Sequence, residues 1–205
     1  MKVDRARIVD EALKLLNEVG VDRLTTRALA QRLGVQQPAL YWHFRSKRAL
    51  LDAMNAEMLA RGPGRREPRA DEDWRAYLAE NARNFRLTLL AWRDGARVHA
   101  GTEAGPQDLE GVECQLRLLD HAGMSLPSAM DLLAALSRYT VGCVLEEQSE
   151  GVDTAAREAL DAEAEAYPRV AEALRHYREG GHADTYEAGL RLILDGAAAR
   201  MSGRS

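Results

Sequence analysis

LTTRALAQRLGVQQPALYWHFRSKRALLDA, residues 24–53, decides the fold. Thr25 can cap a helix running from Thr26 to Leu33, because its hydroxyl can accept an unpaired first-turn N–H. Gly34 and Val35 then make a tight break, and Gln37 and Pro38 open a third helix, Gln37–Phe44. Ser46 begins a longer helix that ends near Arg61, with Ala49, Leu50, Ala53, Met54, Glu57 and Met58 at helical spacing. On the N-terminal side, Ile8, Ala12, Leu15, Leu16 and Val19 recur at three- and four-residue intervals, and Gly20 stops that helix. Two short helices around a glycine turn, braced by a longer one, make a helix-turn-helix whose second helix can enter the major groove.

The surface of that second helix is unusual. Gln37, Tyr41, Trp42 and His43 cluster hydrogen-bonding and aromatic groups where a merely solvated face would carry Lys and Glu. Gln can pair with adenine through two hydrogen bonds, and aromatic atoms can meet thymine methyl groups. Lys47 and Arg48 follow, Lys47 at a helix N-terminus that itself favours phosphate. The competing reading makes Tyr41, Trp42 and Phe44 core aromatics of a three-helix head. Charge favours the polyanion: residues 1–50 hold ten Lys and Arg against five Asp and Glu, whereas the whole chain carries −4. A basic head on an acidic body places the phosphate-binding face on the head alone.

Beyond the head, GPGRREPRAD, residues 62–71, mixes Gly, Pro and charge and marks a linker, so the expected domains are 1–61 and 62–205. Trp74, Tyr77, Leu78, Asn81, Phe85, Leu89 and Trp92 draw one stripe down a helix of about 20 residues. Helical periodicity returns around 106–122, 127–148, 168–178 and 184–200, and no alternating strand pattern occurs. The fold class is all-α. Residues 149–166 are acidic and Ala-rich without an apolar stripe, which predicts a mobile connection.

Composition closes off other classes. At 205 residues, 46% hydrophobic and 29% charged, the chain has globular proportions. Its longest apolar run, Leu132–Leu136, is far short of the roughly 20 residues of a membrane span. The N-terminus carries acids and no apolar signal core, so the cytoplasm is the expected compartment. Cys114 and Cys143, without CxxC spacing, support neither a disulfide framework nor a zinc site. Asn81 is polar within an apolar stripe and shares a face with Phe85. That pattern fits a pocket, or an amide satisfied by backbone.

The stretch 24–53, and YWHF at 41–44 above all, resembles the DNA-reading head of the tetracycline repressor family. WRDGARVHAGT, 92–102, and VGCVLEEQ, 141–148, resemble that family's pocket segments, so the likeness covers nearly the whole chain apart from 149–166. The resemblance implies that Thr26, Arg27, Gln37, Pro38, Tyr41, Trp42, His43 and Lys47 touch double-stranded operator DNA. It implies ligand contacts from Asn81, Phe85, His99, Thr102 and Gln115. It implies a small-molecule inducer arriving as a magnesium chelate, with His99 binding the metal directly and Glu146 holding it through water. Magnesium keeps water and ligand oxygens around it, so one His and one Glu need the chelator's donors as well. Ala39 departs from a hydroxyl residue in the family; Pro63 stands for a drug-contacting histidine, and Glu103 with Ala104 for an Arg-Pro pair.

The family also implies a homodimer. Met130, Leu133, Thr140 and Val144 on one helix and Tyr186, Leu190, Ile193 and Ala197 on another are the expected faces, with Gly142, Gly189 and Gly196 permitting close approach. Two recognition helices about 34 to 36 Å apart would read a palindrome. The leading expectation is thus a dimeric repressor released from its operator by a tetracycline-like magnesium chelate. A regulator of the same fold sensing a metal-independent metabolite, or nothing, is the alternative. No HExxH or GxSxG occurs, so a hydrolase has no support and the chain is not expected to be an enzyme. A pure interaction module leaves the Gln, Tyr, Trp and His face unexplained.

Overall fold

The computed structural model describes residues 3–202 apart from 66, 70, 103, 104, 106, 107 and 150–153. The head is built from α1 (Arg5–Val19), α2 (Thr26–Leu33), α3 (Gln37–Tyr41) and α4 (Lys47–Arg61). Side-chain caps set three of the four starts. Asp4 accepts from the Arg7 N–H at 2.8 Å, Thr25 from Ala28 at 3.1 Å and Ser46 from Ala49 at 3.1 Å. Each satisfies a first-turn donor with no intrahelical partner. Gly34 adopts the left-handed conformation, φ 67°, that lets α2 stop and α3 leave at once.

The recognition helix is shorter than its sequence pattern predicts. It ends at Tyr41 instead of Phe44, where the chain tightens into a turn: the His43 N–H donates to the Leu40 carbonyl three residues back at 3.0 Å, and the Phe44 N–H shares the same acceptor at 2.9 Å. This turn drives Leu40 and Phe44 into the core and leaves Trp42 at its tip. The aromatics therefore divide: Phe44 is core, under the Arg5 guanidinium at 4.5 Å, while Tyr41 is 48% and Trp42 90% exposed.

The body follows as α5 (Trp74–Leu90), α6 (Gly95–Ala100), α7 (Leu109–His121) and α8 (Leu126–Ser149). Asp73 caps α5 by accepting from the Arg75 and Ala76 N–H groups, both at 3.0 Å. One apolar cluster joins head to body: Ile8, Leu16, Leu29, Phe44, Met54 and Met58 pack with Leu89, Ala96, Val98 and Val144. Residues 1–148 accordingly form one compact unit and 149–205 another. A glycine- and charge-rich linker does not by itself separate one core from the next.

In the second unit, α9 (Thr154–Ala164) precedes α10 (Pro168–Ser202), which is broken at Gly181, φ 63°. The expected mobile connection at 149–166 is corrected for its described residues, since 154–164 is helical. Its Ala, Glu and Arg residues are strong helix formers, so propensity supplies what an apolar stripe does not. Among the described residues no strand occurs, and no helix is long and apolar enough to cross a membrane. The cysteines are free and half-buried. The expected dimer faces need correction: Thr140, Val144, Tyr186 and Leu190 are buried within the single chain. Met130 on α8 and Leu192 on α10 are apolar side chains that stay exposed.

Candidate ligand pocket and nucleic-acid interface

A cavity of about 510 Å³ opens between α4, α5, α6 and α7. All five side chains to which the family resemblance gave ligand contacts, Asn81, Phe85, His99, Thr102 and Gln115, line it. They come from three different helices and the turn after α6, so no local pattern groups them; the fold does. A second recess of about 170 Å³ lies behind Asn81 and Phe85, walled by Leu78, Leu133 and Leu136. Cavities of this order, with apolar walls and few polar anchors, are typical of small-molecule sites.

His99 is the one imidazole among them. It sits at the end of α6 with its ring edge-on to Phe85, centroids 4.9 Å apart. Its Nδ1 lies 3.0 Å from Asn55 Oδ1. Burial lowers its pKa from the ordinary 6.5, against the opposing charge of Asp108, so the imidazole is held neutral at physiological pH. Thr102 donates to the His99 carbonyl at 2.8 Å, which fixes the turn after α6. Asn81 Nδ2 is buried with only a weak contact to the Tyr77 hydroxyl and no hydrogen bond of ordinary geometry, a state that a ligand or water acceptor would relieve.

Glu146 does not join them. It is exposed on α8 and absent from the lining of its own chain's cavity. Among the described residues no three His, Cys, Asp or Glu side chains assemble into a metal cage. Pro63 is also exposed, while Gly62, Gly64 and Arg65 beside it form the cavity wall. Gly62 passes so close to Thr88 that a Cβ there would overlap the Thr88 hydroxyl. Arg65 spends its donors on Glu72 at 2.8 Å, Glu80 at 2.6 Å and the Glu67 carbonyl at 3.2 Å, and its face covers Tyr77. Glu103 and Ala104 lie outside the described residues.

Sequence reasoning missed Asn55, Arg65 and Asp108. Asn55 carried only a weak signal, a polar amide between the core residues Met54 and Met58 on a helix that also bears Lys47, Arg48, Asp52, Glu57 and Arg61; the other two sit among loop charges and carried none.

The head's outward face is built from the starts of α2, α3 and α4. Thr26 and Arg27 open α2, and Gln37 Nε2 donates to Thr26 Oγ1 at 2.9 Å, so the two helix starts present one joined polar edge. Pro38, Tyr41, Trp42 and Lys47 are exposed, and His43 is half-buried. Head and cavity are mechanically joined through α6. Asp94, before its first turn, accepts from the Val21 N–H at 2.8 Å, and Arg97 pairs with Asp22 at 2.8 Å. Gln148 ties α8 to the same corner, donating to the Trp92 carbonyl at 2.8 Å. α6 thus grips the head at one end and carries His99 near the other.

A DNA-reading head whose core continues into a body with a polar-anchored cavity defines a ligand-sensing DNA-binding protein. Residues 8–54 match the family of bacterial regulatory proteins called the tetR family, and 67–201 match the tetracyclin repressor-like C-terminal domain. The tetracycline repressor protein class A from transposon 1721 of Escherichia coli is 51% identical over 97% of this chain and 92% of its own. A solved structure of TetR (class A) with 5a,6-anhydrotetracycline and magnesium is 47% identical, with TM-score 0.73 over 94% of this chain and 96% of that one. A TetR variant from Acinetobacter baumannii AYE in complex with minocycline is 41% identical, with TM-score 0.80 over 98% and 99%. The chain belongs to the tetR family of bacterial regulatory proteins. It is a ligand-responsive transcriptional repressor that acts on operator DNA as a dimer.

Proposed function

We propose that the chain represses from a palindromic operator and is released when a tetracycline-like ligand enters the cavity with a magnesium ion. The observation that carries this reading is the convergence of Asn81, Phe85, His99, Thr102 and Gln115 on one cavity, with an underused amide nitrogen and a histidine whose pKa burial lowers. The residues fit the metal. The Nδ1 of His99 is engaged by Asn55, which leaves Nε2 as the nitrogen with a free lone pair. A cation there would polarise and orient the ligand oxygens it binds. With no metal cage among the described residues, the ligand must bring most of the donors. Glu146 is exposed and outside the lining of its own chain's cavity, so the water-mediated role the resemblance gives it has no support from that cavity. The protein acts in the cytoplasm, where its operator is.

The boundary at 61/62 is a functional one in this reading: 1–61 reads DNA and 62–205 binds ligand and partner, across a common core. Thr26, Arg27, Gln37, Pro38, Tyr41, Trp42, His43 and Lys47 meet the operator. Gln37→Ala should cost about 1 to 3 kcal/mol at its preferred base pair, whereas Lys47→Ala should weaken all sequences alike. Gel shifts on a set of operator variants measure both, and unchanged specificity in Gln37→Ala would remove Gln37 from the base readers.

Dimer contacts are assigned to the exposed apolar side chains of α8 and α10. A Cβ at Gly142 or Gly196 would meet nothing within 4 Å, which leaves those helix surfaces open to a partner. Leu192, 75% exposed, should yield folded monomers in sedimentation when changed to Glu. Leu190→Glu, by contrast, buries an unpaired charge and should cost several kcal/mol of fold stability. A Leu192→Glu protein that remains dimeric would move the interface elsewhere.

A further inference from the structure

Asn55 is one of three buried polar side chains among the described residues, at 6% exposure. The other two have ordinary local reasons: Thr88 donates to Asn84 O and Thr140 to Leu136 O, both at 2.8 Å, one helical turn back. Asn55 instead reaches across from α4 to α6, where its Oδ1 meets His99 Nδ1 at 3.0 Å in the wall of the cavity. Burying an amide among Met54, Met58 and their apolar neighbours costs free energy unless the bond it makes is worth having.

That bond has a direction. An amide oxygen only accepts, so Nδ1 must carry the proton and Nε2 the lone pair. Phe85, edge-on at 4.9 Å and 70°, limits the tilt of the ring, and a ring flip would break the bond to Asn55. The two contacts leave His99 one orientation and one tautomer.

We propose that Asn55 is a positioning residue: it holds His99 in the Nδ1–H tautomer and so presents the Nε2 lone pair to a divalent cation in the cavity. The inference rests on the reading of His99 as a metal ligand and adds the group that makes it competent before any ligand arrives. It also ties that competence to the head, because α4 supplies Asn55 while α6 supplies His99.

The test uses the full-length dimer with nitrogen-15-labelled histidine, without metal or drug, at pH 7.5. Long-range proton–nitrogen correlation spectra should show His99 Nδ1 protonated and Nε2 bare. Asn55→Leu, similar in size but with no acceptor, should move the proton to Nε2; Asn55→Asp, which keeps an acceptor, should hold the native tautomer. In fluorescence titrations with tetracycline and magnesium, Asn55→Leu should bind about 10- to 100-fold more weakly, with Asn55→Asp restoring most of the loss. Tetracycline alone, without magnesium, should show no such difference between the variants. A wild-type His99 protonated on Nε2 would overturn the proposal, as would a folded Asn55→Leu with native tautomer and affinity. Should Asn55→Leu fail to fold, the wild-type and Asn55→Asp spectra decide alone. A wild-type Nδ1–H tautomer with no binding of the magnesium chelate would sustain the positioning role while refuting the metal reading of the site.

Discussion

His99→Ala should abolish magnesium-dependent binding of tetracycline, a loss of at least about 100-fold, and leave operator affinity within a few-fold of wild type. The expectation follows from where the residue sits. Among the described residues it is the only imidazole on the cavity wall, and its ring touches the cavity, Phe85 and Asn55 but no portion of the DNA-facing surface. If His99 is the metal's one direct protein ligand, removing it removes a bond that waters and Asp108 would not replace in kind. Acid should mimic the substitution, because only neutral imidazole coordinates a metal. Burial holds the His99 pKa below 6.5, so binding should persist through pH 6.5 and fail only as the pH drops further, through the lowered value. Calorimetry of both proteins, with and without magnesium, across pH 5 to 8 measures this. Equal magnesium dependence in His99→Ala and wild type would remove His99 from the metal site.

Operator binding should fall about 1,000-fold between 50 and 200 mM salt. With about six phosphates neutralised per dimer, the logarithm of affinity falls with the logarithm of salt at a slope near −5. The charge distribution supports this. The chain as a whole carries −4, whereas its first 50 residues hold ten Lys and Arg against five Asp and Glu. Lys47 at the start of α4 and Arg27 in the first turn of α2 are both exposed. Fluorescence anisotropy on a labelled operator gives the slope directly. Affinity that stays flat over this range would mean that the head does not anchor on phosphate.

Local chemistry was legible in the sequence and long-range pairing was not. Thr25 and Ser46 each cap a helix three residues before the N–H they accept, so a short window of residues contains the whole cause. The end of α3 escaped such a window because it depends on Phe44 being pulled into the core, which tertiary packing decides. The same holds for the dimer faces. Glycines and aliphatic residues at helical spacing mark two packed surfaces but not which one the chain keeps for itself, and Tyr186 and Leu190 turned inward. At the cavity, resemblance to the family supplied five residues that the fold brings together, while Asn55 lies 44 positions from the His99 it serves. No spacing rule connects two helices across such a separation.

Release requires that the ligand bind the DNA-incompetent arrangement more tightly than the DNA-competent one; shifting the balance from 1:99 to 99:1 takes about 5.5 kcal/mol of differential affinity. α6 is the element placed to convert binding into that difference, with His99 near its end and the Asp94 and Arg97 contacts to the head at its start. Pro63 is exposed outside the cavity lining and gives the ligand no histidine there. Tetracycline is therefore expected to bind more weakly than to relatives that carry one.

The most direct test is anisotropy of a labelled operator held by the protein while tetracycline, magnesium and the two together are added in turn. The account predicts that the pair releases the DNA and that neither component does so alone at the same concentration. DNA that stays bound in the presence of both, or that is released by tetracycline with metal removed by chelation, would contradict it.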